Sequence, residues 1–330
     1  MNSRPSRAEP TTVGNAAPKT GITTRAWWPW AMTAAKIAFF VLVAWLLVAQ
    51  ARSIEWDKVI ETVRNRPARS LLLASLLGIL SYALYGCFDL LGRYVTQHHL
   101  PRRVVIAVNL ICYAFNLNIG ATVGGAAFRF RLYSRLGLDA GTTARIIAIT
   151  MFTNWIGYVL LGGIVFLLRP LALPPDWAIG SSGLRVFGGL LLALMLIYLL
   201  LCAFASGRGV SFRGHTAHIP SLRLALLELA MSCANWLLIS AVIYVLLNGQ
   251  IAFTDVLSVL LVAAIAGVIT HVPGGIGVIE AVFVALLSHR VPASELIASI
   301  LMYRTIYYFV PLGLATAGYL LMEARIRKAG

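Results

Sequence analysis

The chain has 330 residues, 59% of them apolar and only 12% charged, about half the charged share of a soluble protein. Its mean hydropathy of +0.83 leaves too little polar surface to coat a soluble globule of this size, which excludes a soluble enzyme, a disordered chain, a coiled coil and a disulfide scaffold as whole-chain descriptions. The net charge of +15 lies in short loops between apolar runs, a pattern that fits membrane orientation and anionic headgroups; no aromatic–basic stripe points to nucleic acid.

Residues 1–29 hold Pro5, Pro10, Pro18 and several threonines without periodicity and read as a disordered basic tail. The first apolar run, 30–50, ends in Ala49-Gln50-Ala51, which resembles a signal-peptidase site. The long preceding tail and Trp27, Trp28 and Trp30 favour a retained helix with an interfacial tryptophan belt. A bilayer core of about 30 Å takes about 20 apolar residues per helix, and six runs qualify: 30–50, 70–91, 146–168, 184–205, 222–247 and 297–322. Segment 54–68 mixes Ile54, Trp56, Val59, Ile60 and Val63 with charges and predicts a short amphipathic helix on the outer surface.

Two further apolar stretches, 104–128 and 252–288, are interrupted where a simple helix should continue. The first carries Asn116, Asn118, Gly120, Gly124 and Gly125; the second reads Thr270-His271-Val272-Pro273-Gly274-Gly275-Ile276-Gly277. Proline removes a backbone donor, and paired glycines permit angles that helices forbid. At membrane depth such breaks survive only where protein or a wet cavity satisfies the freed peptide groups. For Gly120 and Gly124, close helix packing of the Gly-xxx-Gly type is an equally available reading.

Charge placement tests the topology. With both broken stretches as hairpins and the N-terminus in the cytoplasm, 17 of the 27 bases fall on the cytoplasmic side and 8 outside, leaving Lys36 and Arg304 in the membrane. The hairpins then enter from opposite sides and their tips approach near mid-membrane, as in transporter sites built from inverted repeats. The expected fold is an all-α polytopic membrane protein with about six full transmembrane helices plus two re-entrant, broken helical hairpins in inverted arrangement. A domain at 30–325 and a short cytoplasmic tail at 326–330 complete it.

Three acids lie in apolar runs. Asp89 and Glu228 sit near Arg93 and Arg223, so interfacial pairing is expected for both. Glu280 falls in the first turn of the returning arm, where a helix N-terminus favours negative charge. At 1.5 Å per residue, Glu280 and Arg304 lie at matching depths of about 12 and 10 Å, and a buried charge needs a partner, so the two should meet. The couple is either a static lock or a headgroup site lined by Tyr303, Tyr307 and Tyr308. Arg129, Arg131 and Arg135 follow the first glycine tip; Arg131 and Arg135 share a helix face suited to phosphate oxygens, or serve as topology-setting bases. Asn154 and Trp155 interrupt the 146–168 run, with an amide placed to hydrogen-bond a neighbour.

Cys87, Cys112, Cys202 and Cys233 lie far apart in apolar runs and read as small hydrophobes. The chain has no nucleophile elbow, His-Glu-x-x-His pair or phosphate-binding loop, so no metal, cofactor or catalytic residue is expected.

The stretch Pro273-Gly274-Gly275-Ile276-Gly277-Val278-Ile279-Glu280 resembles the PGG-x-G-x-x-E signature of the lysylphosphatidylglycerol synthase transmembrane region, the flippase-like domain of the multiple peptide resistance factor. The glycine segment running into Arg129, then Gly137 and Arg145, is similar to that family's first motif, with Gly125-Ala126 where the family often has Gly-Glu. The resemblance covers roughly 30–325. It implies an inner-membrane lipid translocator without the soluble synthase domain, not an enzyme, with headgroup contacts at Glu280, Arg304, Arg129, Arg131, Arg135 and Tyr307. The hairpin tips would be Gly124, Gly125, Pro273, Gly274, Gly275 and Gly277. Partners would be membrane phospholipids or other polar lipids, with a homodimer or lipid-biosynthesis partners open. The alternative is a non-catalytic subunit or intramembrane enzyme in aminoacyl-phospholipid or hopanoid-type lipid biosynthesis.

Overall fold

A computed structural model describes residues 56–169, 171, 180–207, 209–212 and 215–329. The expected basic tail and the first apolar run lie outside the described residues. The described chain is built from twelve α-helices: α1 (Trp56–Arg64), α2 (Ala68–Gly86), α3 (Phe88–Thr96), α4 (Arg102–Ile119), α5 (Phe128–Arg135), α6 (Ala140–Leu168), α7 (Ser181–Phe204), α8 (Leu222–Leu246), α9 (Phe253–Thr270), α10 (Val278–Leu287), α11 (Ala293–Arg304) and α12 (Val310–Ala329). A short antiparallel hairpin between α7 and α8, β1 (Gly209–Phe212) and β2 (His215–His218), is the one addition to the all-α expectation.

Among the described residues, seven helical segments are long and apolar enough to cross a membrane: 68–96, 102–119, 140–168, 182–204, 222–246, 253–270 and 293–322. Their exposed faces are rich in leucine, isoleucine, valine and phenylalanine, as lipid contact requires, while Ser81, Asp89, Asn109, Thr150 and Asn235 turn inward. Two of these helices start on side-chain caps. Asp139 accepts from the Thr142 amide at 2.9 Å to open α6, and Ser221 accepts from Leu224 to open α8.

Two of the seven, α4 and α9, are first arms of hairpins. After Ile119 the chain bends at Gly120 (φ +104°), passes through a widened π-type turn at Ala121–Ala127 and returns as α5. The return is fixed by contact. The Phe115 and Phe128 rings stack with centroids 4.3 Å apart, and Leu132 and Leu138 join one apolar cluster with Leu100 and Val105. Gly124 belongs to this hairpin, not to a helix–helix seam: a Cβ there would lie 2.1 Å from the Phe115 carbonyl oxygen, so only hydrogen fits. The second hairpin runs down α9, turns through Pro273–Gly275 and returns as α10. An Arg290–Asp255 ion pair of 2.5 Å closes its open end.

The start of α2, the end of α8 and the start of α11 gather at one end of the bundle, where Ser70 meets Asn248 and Arg66 meets Ser299. This Arg66 end also receives α1, which packs on α11 and buries Val59 as the amphipathic pattern requires. The first hairpin opens at the opposite end, near Arg102. The second opens at the Arg66 end, so the two tips point toward each other.

Candidate functional site

The tips touch. Gly274 has φ +65° and lies so close to the first hairpin that a Cβ would sit 3.1 Å from the Asn118 carbonyl oxygen. Both the left-handed angle and the close approach call for glycine.

Arg304, the last residue of α11, occupies the space beside this junction and is 3% exposed. Its Nε donates to Glu280 Oε1, and Nη2 donates to Glu280 Oε2 at 3.0 Å. Nη1 donates to the Gly274 carbonyl at 2.9 Å and Nη2 to that of Gly275 at 2.6 Å. The planar fork thus binds a carboxylate and two tip carbonyls that the Pro-Gly-Gly break has released from helical pairing. The guanidinium also lies 5.3 Å from the Tyr308 ring centroid.

Arg304 is followed directly by a second π-type turn, Thr305–Phe309, which divides the expected 297–322 helix. The carbonyls of Tyr307 and Tyr308 in this turn accept hydrogen bonds from Tyr82 at 3.0 Å and Asn118 at 3.3 Å. The Tyr307 hydroxyl, fully buried, meets Ser81 Oγ at 2.7 Å and the Tyr113 hydroxyl at 3.0 Å; Ser81 in turn donates to Asn235 at 2.8 Å. A polar chain crosses the mid-span core between α2, α4, α8 and the π-type turn.

The first hairpin has its own couple. Arg129 does not reach outward with its neighbours: it is buried, with Nε donating to Asp89 at 3.3 Å, Nη2 to the Asn109 side chain and Nη1 to the Gly125 carbonyl at 3.3 Å. Asp89 also accepts from Tyr133 at 2.8 Å and Thr150 at 2.6 Å. The expected interfacial pairing of Asp89 with Arg93 is therefore replaced, and Arg93 donates to the Leu100 carbonyl instead. The two couples are mirror images in chemistry. In the first hairpin the base is on the returning arm and the acid on a neighbouring helix; in the second the assignments are exchanged. In both, arginine holds tip glycine carbonyls.

Tyrosines connect the couples. Asn109 donates to the Tyr85 carbonyl at 2.6 Å, the Tyr85 ring stacks on Tyr113 at 3.5 Å, and Tyr113 reaches Tyr307. Tyr307 stacks on Tyr303 at 5.5 Å.

The remaining expected residues lie elsewhere. Arg131 and Arg135 are exposed on α5, with Arg131 5.9 Å from the Tyr319 ring centroid. Glu228 is buried in α8 and forms no ion pair with Arg223 among the described residues. At Asn154 the backbone carbonyl, not the amide, joins the neighbouring helix, accepting from Ser232 and Trp236 at 2.9 Å each. Sequence reasoning missed Asn109, Tyr113, Ser81 and Asn235. Asn109 left a signal only as a further amide in the arm that also carries Asn116 and Asn118.

Beside the tyrosines, α2, α4 and α12 line an open-sided apolar cavity of about 900 Å³, with Gly78, Tyr82, Leu110, Ile306 and Gly318 among its walls.

Opposed hairpins meeting at mid-span within a bundle of apolar helices define a polytopic membrane protein with a broken-helix core. The chain belongs to the family described as the lysylphosphatidylglycerol synthase TM region, which matches residues 33–315. It is 44% identical over 291 residues to the inner membrane protein YbhN of Escherichia coli K12, covering 88% of this chain and 92% of that protein. It is 30% identical over 280 residues to an uncharacterized protein of Synechocystis, covering 84% and 87% respectively. The phosphatidylglycerol lysyltransferase of Staphylococcus aureus COL is 24% identical over 286 residues, which are 84% of this chain but 32% of that protein.

Proposed function

We propose that this protein moves polar or charged lipid headgroups between the leaflets of the inner membrane, with the acyl chains remaining in lipid. The observation that carries this reading is the contact between the two tips, at Gly274 and Asn118, held by Arg304 and set beside an apolar cavity of about 900 Å³. A headgroup crosses hydrocarbon slowly because its hydration must be shed. A path lined by tip carbonyls, tyrosine hydroxyls and an arginine–carboxylate couple replaces part of that hydration, while the cavity between α2, α4 and α12 accommodates a chain.

Four of the five N–H donors of Arg304 are engaged with Glu280, Gly274 and Gly275, so a headgroup phosphate that takes the guanidinium's fork as a pair displaces tip carbonyls. Opening the tip and binding the headgroup are then one event. Arg129, bound to Gly125, plays the equivalent part in the other hairpin. Arg131 and Arg135 attract phosphate at the Arg102 end, and Tyr307 lines the route between. The arginine-rich loops at the Arg102 end support a cytoplasmic orientation of that end.

This reading takes nothing from the lysyl-transfer activity in the name of the staphylococcal relatives, since the match covers only a third of their length. No catalytic step is assigned.

The test is leaflet exchange of fluorescent phospholipids of several headgroups in liposomes containing the purified protein. Exchange well above that of protein-free vesicles, lost in both Glu280→Gln and Arg304→Ala, is expected. Exchange at the protein-free rate for every headgroup overturns the proposal. A deletion strain with altered lipid composition, rather than altered leaflet distribution, would favour a biosynthetic role.

A further inference from the structure

A second polar cavity, of about 290 Å³, lies at the Arg66 end, remote from the hairpin tips. Glu61, Thr62, Asn65, Arg66, Asn248 and Glu295 line it. Arg66 is 7% exposed; its Nη2 donates to Ser299 at 3.3 Å and lies 3.6 Å from Glu295. Its Nε–H is buried without an acceptor. A buried donor left unpaired is costly, and this one belongs to a side chain that lines the cavity. Asn248 accepts from Ser70 through Oδ1 at 3.2 Å, which leaves its amide hydrogens for a second oxygen. Glu295 is held by Gln250 at 2.7 Å, and Glu61 is exposed on α1 without an ion-pair partner among the described residues.

The lining therefore offers two different demands. The Arg66 Nε–H and the Asn248 amide call for an anionic or ester oxygen, while two carboxylates against one guanidinium leave a net negative wall suited to a cation. We infer that this cavity binds a small zwitterion in which a primary ammonium lies within a few bonds of a phosphate or carboxylate. At about 30 Å³ per water, the cavity holds roughly ten waters' volume, enough for phosphoethanolamine or a small amino acid but not for an acyl chain. The same chemistry is carried by a free zwitterion and by a phosphatidylethanolamine headgroup at the membrane surface. The site stands apart from the translocation reading, because binding here needs no lipid to cross.

The experiment is isothermal titration calorimetry of phosphoethanolamine into the full-length protein in phosphatidylglycerol nanodiscs. Saturable binding is expected, about tenfold weaker in Glu61→Gln, whose exposed position leaves the thermal midpoint unchanged, and equally weakened in Arg66→Lys, which lacks Nε. Repeating the titration in phosphatidylethanolamine nanodiscs identifies the source: competition supports a lipid headgroup, and undiminished binding supports a free zwitterion. No saturable binding in either disc, wild-type binding by Glu61→Gln, or equal binding of phosphocholine, whose quaternary nitrogen has no hydrogen to donate, would overturn the inference.

Discussion

Gly274 of the second hairpin rests against the carbonyl oxygen of Asn118 in the first, so closely that a Cβ would sit 3.1 Å from that oxygen and press it aside. The contact joins two segments more than 150 residues apart and makes the tips one structural unit. Gly274→Ala should therefore lower stability on two counts. The left-handed angle costs about 1–2 kcal/mol for a residue with a Cβ, and the 3.1 Å approach to the Asn118 oxygen adds to it. Gly189→Ala in α7 meets no atom within 4 Å and serves as the control. Thermal unfolding in detergent should show a lowered midpoint for the first and none for the second; equal midpoints would contradict the tip contact.

The Asp89–Arg129 couple should behave as a buried ion pair does. Asp89→Ala leaves a guanidinium buried without its carboxylate, together with orphaned Tyr133 and Thr150 hydroxyls, and should cost about 3–5 kcal/mol. Asp89→Leu combined with Arg129→Met removes both charges and should recover much of that loss. A double-mutant cycle read from unfolding midpoints measures the coupling; additive effects would mean that the residues do not interact.

Tyr307→Phe removes one hydroxyl that serves both Ser81 and Tyr113. The ring keeps its stacking on Tyr303, so the expected loss is that of buried hydrogen bonds alone, about 1–3 kcal/mol. Ser81→Ala should then cost less in the Tyr307→Phe background than in the wild type, because only its bond to Asn235 remains to be lost. Equal costs in the two backgrounds would place Ser81 outside the chain.

His98, in the loop between α3 and α4, is held below its ordinary value of 6.5 by burial and by Arg93 and His99 nearby. Its Nδ1 accepts from the Leu100 amide at 3.2 Å, a bond that protonation there removes. Because the folded state binds this proton less readily than the unfolded chain, the stabilisation is present above 6.5 and is lost as pH falls below it. Asp139, held below the ordinary carboxylate value by its bonds to Thr142, enters only in more acid solution. Unfolding midpoints between pH 7 and pH 5 should fall in the wild type and fall less in His98→Gln. Identical slopes would remove His98 as the cause.

The second hairpin was legible in the sequence because Pro273 followed at once by Gly274, Gly275 and Gly277 disfavours continuous helix far more than paired glycines alone, which α6 and α7 carry without a break. The first, marked by glycines only, shared its signal with close helix packing. The meeting of Glu280 and Arg304 was legible as well, since depth in the bilayer is set by residue count and an ion at that depth needs a counter-ion. The partner of Asp89 was not. Sequence proximity favoured Arg93, but Arg129 comes adjacent only when the first hairpin folds back, and no local pattern encodes that return. Ser81 and Asn235 were likewise silent, for a serine or asparagine in a span is equally consistent with bonding its own backbone. The π-type turn after Arg304 left no periodic trace, because one extra residue in a uniformly apolar helix shifts no visible stripe.

The exchanged acid and base of the two hairpins also bear on how the molecule meets a membrane voltage. One elementary charge crossing 100 mV involves about 2.3 kcal/mol, but a neutral couple that moves as a unit transfers none. Asp89–Arg129 and Glu280–Arg304 each join a hairpin to a neighbouring helix, so a couple is electrically silent only while the two move together. A hairpin that parts from its neighbour carries Arg129 or Glu280 alone, and that step would respond to voltage.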